Sequence, residues 1–262
     1  DNHVGMTTPD NDNFFGKFTA YAPGPDRATH VSRRYPDGAV ALNAWQYITA
    51  GLTAVWAEEN TRGAIFDAME RREAYATTGP RIRVRFFGGW SFEEADALRR
   101  DLAQVGYAKG VPMGADLPMG DGSPSFLVYA LRAPMGANLD RVQIVKGRID
   151  RDGTQQEKVY DVAWSDEREF DADGKLPAVG STVELEIPSW TNTIGASELG
   201  ATWTDPDFDP AERAFYYARV IEIPTPRWTA YDAVRFDLDL PSEIPLSQQE
   251  RAYTSPIWYT PK

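Results

Sequence analysis

The chain has 262 residues, a formal net charge of −12 and no cysteine. Without thiols, disulfides, thiolate-held metals and cysteine nucleophiles are excluded, and the acidic balance repels phosphate backbones, so no nucleic-acid partner is expected. No apolar run approaches the roughly 20 residues that span a bilayer, so no transmembrane segment is expected either.

Residues 1–35 are rich in Asp, Asn, Gly and Pro and read as loop with one short helical turn. The opening Asp1-Asn2-His3 has no Met, no basic segment and no apolar core. It therefore reads as the start of a piece cut from a longer protein, with any targeting peptide upstream. Periplasmic, secreted and cytoplasmic locations all stay open. Ala41–Ala57, which holds Trp45, Tyr47, Leu52, Val55 and Trp56, predicts a short helix followed by a buried extended segment. Asn60 or Thr61 then caps a helix through Ile65, Phe66 and Met69 that closes near Ala74–Tyr75, before Thr77-Thr78-Gly79-Pro80 stops regular structure.

After Pro80 the period changes. Arg81–Phe87 alternates polar and apolar residues, the mark of a strand buried on one face. Ser91 and Glu94 suggest a capping box for a helix near 92–105, with Ala95, Leu98, Leu102 and Val105 on its apolar side. Short strands follow at Ser125–Arg132, Arg141–Ile149, Glu157–Trp164, Thr182–Ile187, Phe215–Ile223 and Val234–Leu238, separated by turn residues. This spacing predicts an antiparallel sandwich or barrel. The expected fold class is α+β, mainly β, with a domain boundary near Pro80 that divides residues 1–80 from 81–262.

Chemistry-bearing residues are few. Asp1 and His3 lie two apart, so an extended backbone turns both to one side, where carboxylate oxygen and imidazole nitrogen suit zinc, manganese or iron. Two ligands are too few for a catalytic site. Glu58, Glu59, Asn60 and Arg62 precede or open the first helix; they could sit beside a substrate or metal, or simply cap the helix. His30 with Arg33 and Arg34, and Thr77–Arg81, offer anion-binding readings against plain surface and chain reversal. Asp205, Asp207 and Asp209 lack the Gly and closing Glu of a calcium loop and read as a surface loop. Trp190, Trp203, Trp228 and Trp258 are candidates for stacking on sugar rings, weighed against burial in the core.

The stretches Gly51–Arg62, Ala64–Met69 and Tyr75–Ile82, with Leu139–Gly147, Val159–Trp164 and Ser255–Pro261, resemble a bacterial family of unknown function, "domain of unknown function 3604". The resemblance covers almost the whole chain. Longer members look like PHP-type metal-dependent phosphohydrolases, which implies a distorted α/β barrel upstream, with residues 1–80 a remnant of it and the β-rich part following. In that pattern Asp1 and His3 match a late D-x-H metal motif, while the early H-x-H pair is missing. The resemblance thus implies a divalent metal (Zn, Mn or Fe) in a full-length parent, hydrolysis of a phosphoester or similar bond by metal-bound water, and inactivity of this piece, which need hold no metal itself. The alternative is a non-catalytic binding module for carbohydrate or another partner. The expected partners are the missing part of the same protein and, through an apolar face near 41–57, a second copy of the chain.

Overall fold

The computed structural model describes every residue except Asp1, Asn2, Val4, Arg151 and Lys262. The amino-terminal segment is more ordered than its composition suggests: two 3-10 turns, Asn11–Asn13 and Thr19–Tyr21, precede a hairpin of Val31–Arg34 (β1) and Val40–Asn43 (β2). A third turn, Ala44–Gln46, leads into Leu52–Val55 (β3), in line with the short helix and extended segment expected there.

Arg62–Glu70 (α1) starts where the sequence places it, with Thr61 Oγ1 accepting from the Ala64 N–H at 3.3 Å. It stops earlier than expected. Arg72 adopts a left-handed backbone (φ 60°), and Ala74–Thr77 (β4) is a strand, with Tyr75 and Thr77 turned inward and the backbone paired to β3. Two-residue alternation wins there because a sheet is available to receive it.

Arg83–Gly89 (β5) follows as its alternation dictates. The helix expected near 92–105 is instead a 3-10 turn, Glu94–Leu98, and a separate helix, Leu102–Lys109 (α2). Between them Arg99 is extended and ion-paired with Asp101 at 2.7 Å. The capping carboxylate is Asp96, which accepts from the Glu93 N–H at 2.9 Å, rather than Glu94. The break leaves Leu98 exposed, while Leu102 and Val105 pack against Phe87 and Leu127 as their spacing predicts.

The remaining strands are Gly110–Pro112 (β6), Asp116–Leu117 (β7), Ser125–Leu131 (β8), Leu139–Ile149 (β9), Gln155–Trp164 (β10), Glu198–Thr204 (β11), Arg213–Glu222 (β12), Thr225–Pro226 (β13), Ser247–Gln248 (β14), Arg251–Thr254 (β15) and Ile257–Tyr259 (β16). Two expected strands are absent from the structure. Thr182–Ile187 forms a turn closed by a single bridge between Glu184 and Ser189, with Glu184 through Ile187 left exposed and no second strand to pair with. Val234–Leu238 falls at the end of Trp228–Phe236 (α3). Burial of Trp228, Ala230 and Asp232 decides for helix, and Asp237, left-handed at φ 52°, ends it.

Four strands make one sheet in the order β11-β8-β5-β6, and a larger sheet runs β10-β9-β12-β15-β4-β3, with β16 on β12 and β7 on β16. Among the described residues all strand pairings are antiparallel except that of β16 with β7. The fold is mainly β, and among the described residues no sheet closes into a barrel. The two sheets share one apolar core: Val84, Phe86 and Phe126 from the smaller meet Ile144, Tyr216 and Val220 from the larger. The Phe126 ring lies 4.4 Å from Tyr216 and 5.6 Å from Phe86. Each such side chain, once fully buried, contributes about 1.5–3 kcal/mol. Strands from both sides of Pro80 lie in the larger sheet, since β3 and β4 join β15 and through it β12 and β9.

Candidate functional site

β12 reads Arg213-Ala214-Phe215-Tyr216-Tyr217-Ala218-Arg219-Val220-Ile221-Glu222, and its even positions point into the core. The pattern carries Glu222 inward too, at the strand's end, where it is 1% exposed. There the core opens into a cleft of about 690 Å³. Four chain segments wall it: the turn at Pro9–Asn13, the reversal Gly79–Arg81, the turn Ala133–Ala137 after β8, and β13. Trp190 and Tyr231 add aromatic surface, and Met135 stands almost fully exposed on the turn after β8.

Glu222 and Glu250 both line this cleft and both are buried. Their backbones are joined by a 2.9 Å bond from the Glu222 N–H to the Glu250 carbonyl. Glu250 is well supplied with donors: Asn11 Nδ2 at 2.9 Å and Gln248 Nε2 reach Oε1, and Thr78 Oγ1 reaches Oε2. Burial still raises its pKa, with those three hydrogen bonds opposing. Glu222 has no such supply. Its Oε1 is buried without a hydrogen-bond partner. Burial foremost, then the neighbouring Glu250, pushes its carboxyl well above the ordinary range, with the Arg132 charge as the opposing influence.

Arg227, the residue just before α3, lies near enough to Glu250 for the carboxylate to act on its charge. Its Nη2 donates to the Trp45 and Tyr47 carbonyls, at 2.5 and 2.7 Å, while Nη1 is buried without a partner. Burial brings its pKa down to about 10, with Glu250 opposing. The same Tyr47 carbonyl accepts from Trp228 Nε1 at 2.8 Å, so one backbone oxygen ties the segment after β2 to α3.

The structure distributes the sequence-derived candidates widely. Asp1 lies outside the described residues. His3 is exposed; its ring meets Phe18 edge-on at 4.6 Å and its N–H donates to the Lys17 carbonyl. Glu58, Glu59, Asn60 and Arg62 are exposed at the entry to α1, and none of them lines the cleft. Among the described residues no group of three or more His, Cys, Asp or Glu side chains could hold a metal ion. The described donor set therefore does not fit a metal centre by itself.

His30 is exposed, 5.2 Å from the Tyr21 ring. The Asp205–Asp209 stretch is not simply a surface loop: Asp205 is fully buried, paired with Lys146 at 2.6 Å and accepting from Tyr216 OH at 2.7 Å. Asp207 accepts from Lys158 and Tyr160. Of the tryptophans, Trp228 is core and Trp203 packs on Tyr160 and Phe126, whereas Trp258 is exposed beside Phe215. Trp190 reaches the cleft, as do Gly79, Pro80 and Arg81.

Sequence reasoning passed over Glu222, Glu250, Arg227 and Asn11. The parity of β12 was the available signal for Glu222. Glu250 lies between strands with no local pattern to mark it. No helix of the described residues is long and apolar enough to cross a membrane. No curated protein and no solved structure matches the chain. A family model does, over residues 1–261, and the chain accordingly belongs to the family described as protein of unknown function (DUF3604).

Proposed function

We propose that the chain works as a non-catalytic binding module that takes a small polar ligand in the cleft between Pro9–Asn13 and the end of β12. One observation carries this reading: Glu222, 1% exposed and with an oxygen lacking any partner, lines a cleft of about 690 Å³. A carboxyl buried without hydrogen bonds costs stability. A cleft with a few convergent polar groups and a strongly shifted carboxyl is where a ligand-binding site is to be sought. The test is ligand-observed NMR with a mixed panel of small amines, sugars and anions, repeated on Met135→Trp, which crowds the mouth from an exposed position. Saturable binding that the variant weakens supports the module; a panel that binds nowhere, or equally well to the variant, removes it.

A second reading follows the D-x-H tripeptide. It makes the chain the C-terminal part of a metal-dependent hydrolase acting on phosphoester or similar bonds, with residues 1–80 belonging to its PHP-like barrel. Asp1 and His3 would then hold a divalent metal with groups from outside this chain. The supporting observation is proximity along the backbone. Five residues separate His3 from Pro9 at the cleft wall, which limits the distance between them to about 20 Å. Metal analysis and a phosphoesterase screen on the protein with its preceding residues test it, with His3→Ala as the variant. Activity and metal content unchanged in that variant exclude these ligands.

A further inference from the structure

The cleft's charge says what kind of ligand suits it. Four carboxylic side chains line it, Asp10, Asp12, Glu222 and Glu250, against a single lining cation, Arg81. Two nearby guanidinium groups hold other acceptors and neither lines the cleft, with Arg227 Nη1 left without a partner. Arg132 donates from Nη1 to the Gly136 carbonyl at 2.7 Å, and Arg227 is fixed by the Trp45 and Tyr47 carbonyls with Glu250 as the carboxylate that acts on its charge. Glu250 is satisfied by Asn11, Gln248 and Thr78. Glu222 is the group left over: it has an acceptor oxygen without a donor and no ion-pair partner among the described residues.

An anion entering here would meet four acids, and a neutral ligand would leave the local charge uncompensated. A cation supplies what is missing, since an ammonium group brings up to three N–H donors and a positive charge to a carboxylate. The surrounding surface fits an organic cation better than a bare metal ion. Trp190 and Tyr231 contribute aromatic rings to the lining and Pro134 and Pro226 apolar groups, and cationic groups are drawn to aromatic rings.

Resting on the reading of this cleft as a ligand site, we propose that it binds a small organic cation bearing a primary ammonium or guanidinium group, with Glu222 as the principal counter-charge. Binding draws Glu222 into its ionised form and releases a proton to solvent, so affinity falls as the pH is lowered. The groups that face Glu222 and take part in this balance are Glu250 from the segment before β15 and Arg132 from the end of β8.

The experiment titrates the chain with putrescine and with agmatine by calorimetry, alongside glucose and inorganic phosphate. Fluorescence, taken as the difference from Trp190→Phe, locates the bound molecule. The expected result is saturable amine binding that perturbs Trp190, weakened about tenfold or more in Glu222→Gln because a charge-assisted bond is lost. Asp12→Asn, an exposed change that leaves the buried groups in place, is expected to weaken it about twofold to threefold through the local field. Amine affinity unchanged in both variants overturns the assignment. Glucose or phosphate binding at Trp190 in place of the amines overturns the ligand class and leaves the cleft as a binding site. Silence of Trp190 with every probe removes the cleft reading itself, and this inference with it.

Discussion

Asn11 and Glu250, 239 residues apart in sequence, are joined side chain to side chain at 2.9 Å, and through this pair the amino-terminal segment becomes a wall of the cleft. Asn11 uses both ends of its amide: Nδ2 donates to Glu250, and Oδ1 accepts from the Trp228 N–H at 3.1 Å, at the first residue of α3. That N–H has no partner within the helix, so Asn11 acts as a cap supplied from a distant segment. Asn11→Ala should destabilise the protein by about 1–3 kcal/mol, the cost of stranding a buried donor and weakening support of a buried carboxylate. Hydrogen exchange at the Trp228 amide checks it alongside urea denaturation. Unchanged protection of that amide would show that the cap is not formed in solution.

Glu222 gives the molecule a pH dependence whose sign follows from its surroundings. Its folded-state pKa is raised above the ordinary 4.5, so from that pH upward the folded chain holds a proton that the unfolded chain releases. Stability therefore falls as pH rises through the folded value, and the full penalty is present above it. Glu222→Gln removes the titration, and should stabilise the protein by about 1–3 kcal/mol on the alkaline side while changing little at pH 4. Some slope remains, because burial raises Glu250 in the same direction. Melting temperatures of both proteins across pH 4–9 decide the matter: parallel curves would mean that Glu222 does not titrate in the window claimed.

The strands were legible because period-two alternation survives wherever a sheet buries one face. β12 is the clearest case, and its parity even reaches Glu222. What sequence could not give was the choice between local patterns that compete. Ala74–Thr77 can end a helix or start a strand, and the neighbouring β3 and β15 decide for strand. Val234–Leu238 alternates like a strand, yet Trp228 and Ala230 upstream are buried on a helix face, Trp228 in a cluster with Phe14 and Ala28. Both outcomes depend on partners remote in sequence. The cleft was hidden for the same reason, since Asn11, Glu222 and Glu250 meet only after the sheet has formed. His3 stood out by its spacing from Asp1 and Glu58 by its place before α1, and the structure leaves both exposed.

Arg27 and Asp232 hold the amino-terminal segment to α3 through a buried pair 2.7 Å apart, both nearly inaccessible. Arg27 Nη1 also donates to the Phe14 carbonyl at 2.6 Å, and its guanidinium lies 4.4 Å from the Trp228 ring. Burial lowers the Arg27 pKa and raises that of Asp232, in each case against the attraction of the partner. Such a pair stabilises little overall but is costly to break from one side. Arg27→Met should lose about 3–5 kcal/mol, because Asp232 keeps only a distant Arg235. The double variant Arg27→Met with Asp232→Leu should recover much of the loss. Equal stability of the single and double variants would mean that Asp232 is not left as an uncompensated charge.

Two lysines on neighbouring strands test how far burial alone sets the worth of an ion pair. Lys146 on β9 is 3% exposed; it pairs with Asp205 at 2.6 Å and donates to the Asp207 carbonyl at 2.8 Å. Asp205 is fully buried, and among the described residues Tyr216 OH and the Asp207 N–H serve it besides Lys146. Lys158 on β10 pairs with Asp207, but both are largely exposed. Lys146→Met should cost about 3–5 kcal/mol, since it strands a buried carboxylate. Lys158→Ala should cost far less, and less still as salt is added, because solvent already screens that pair. Urea denaturation of both variants at low and high salt makes the comparison. A Lys158 effect as large as that of Lys146, or a Lys146 effect that salt abolishes, would place the Asp205 carboxylate in contact with solvent rather than in the core beside Tyr216.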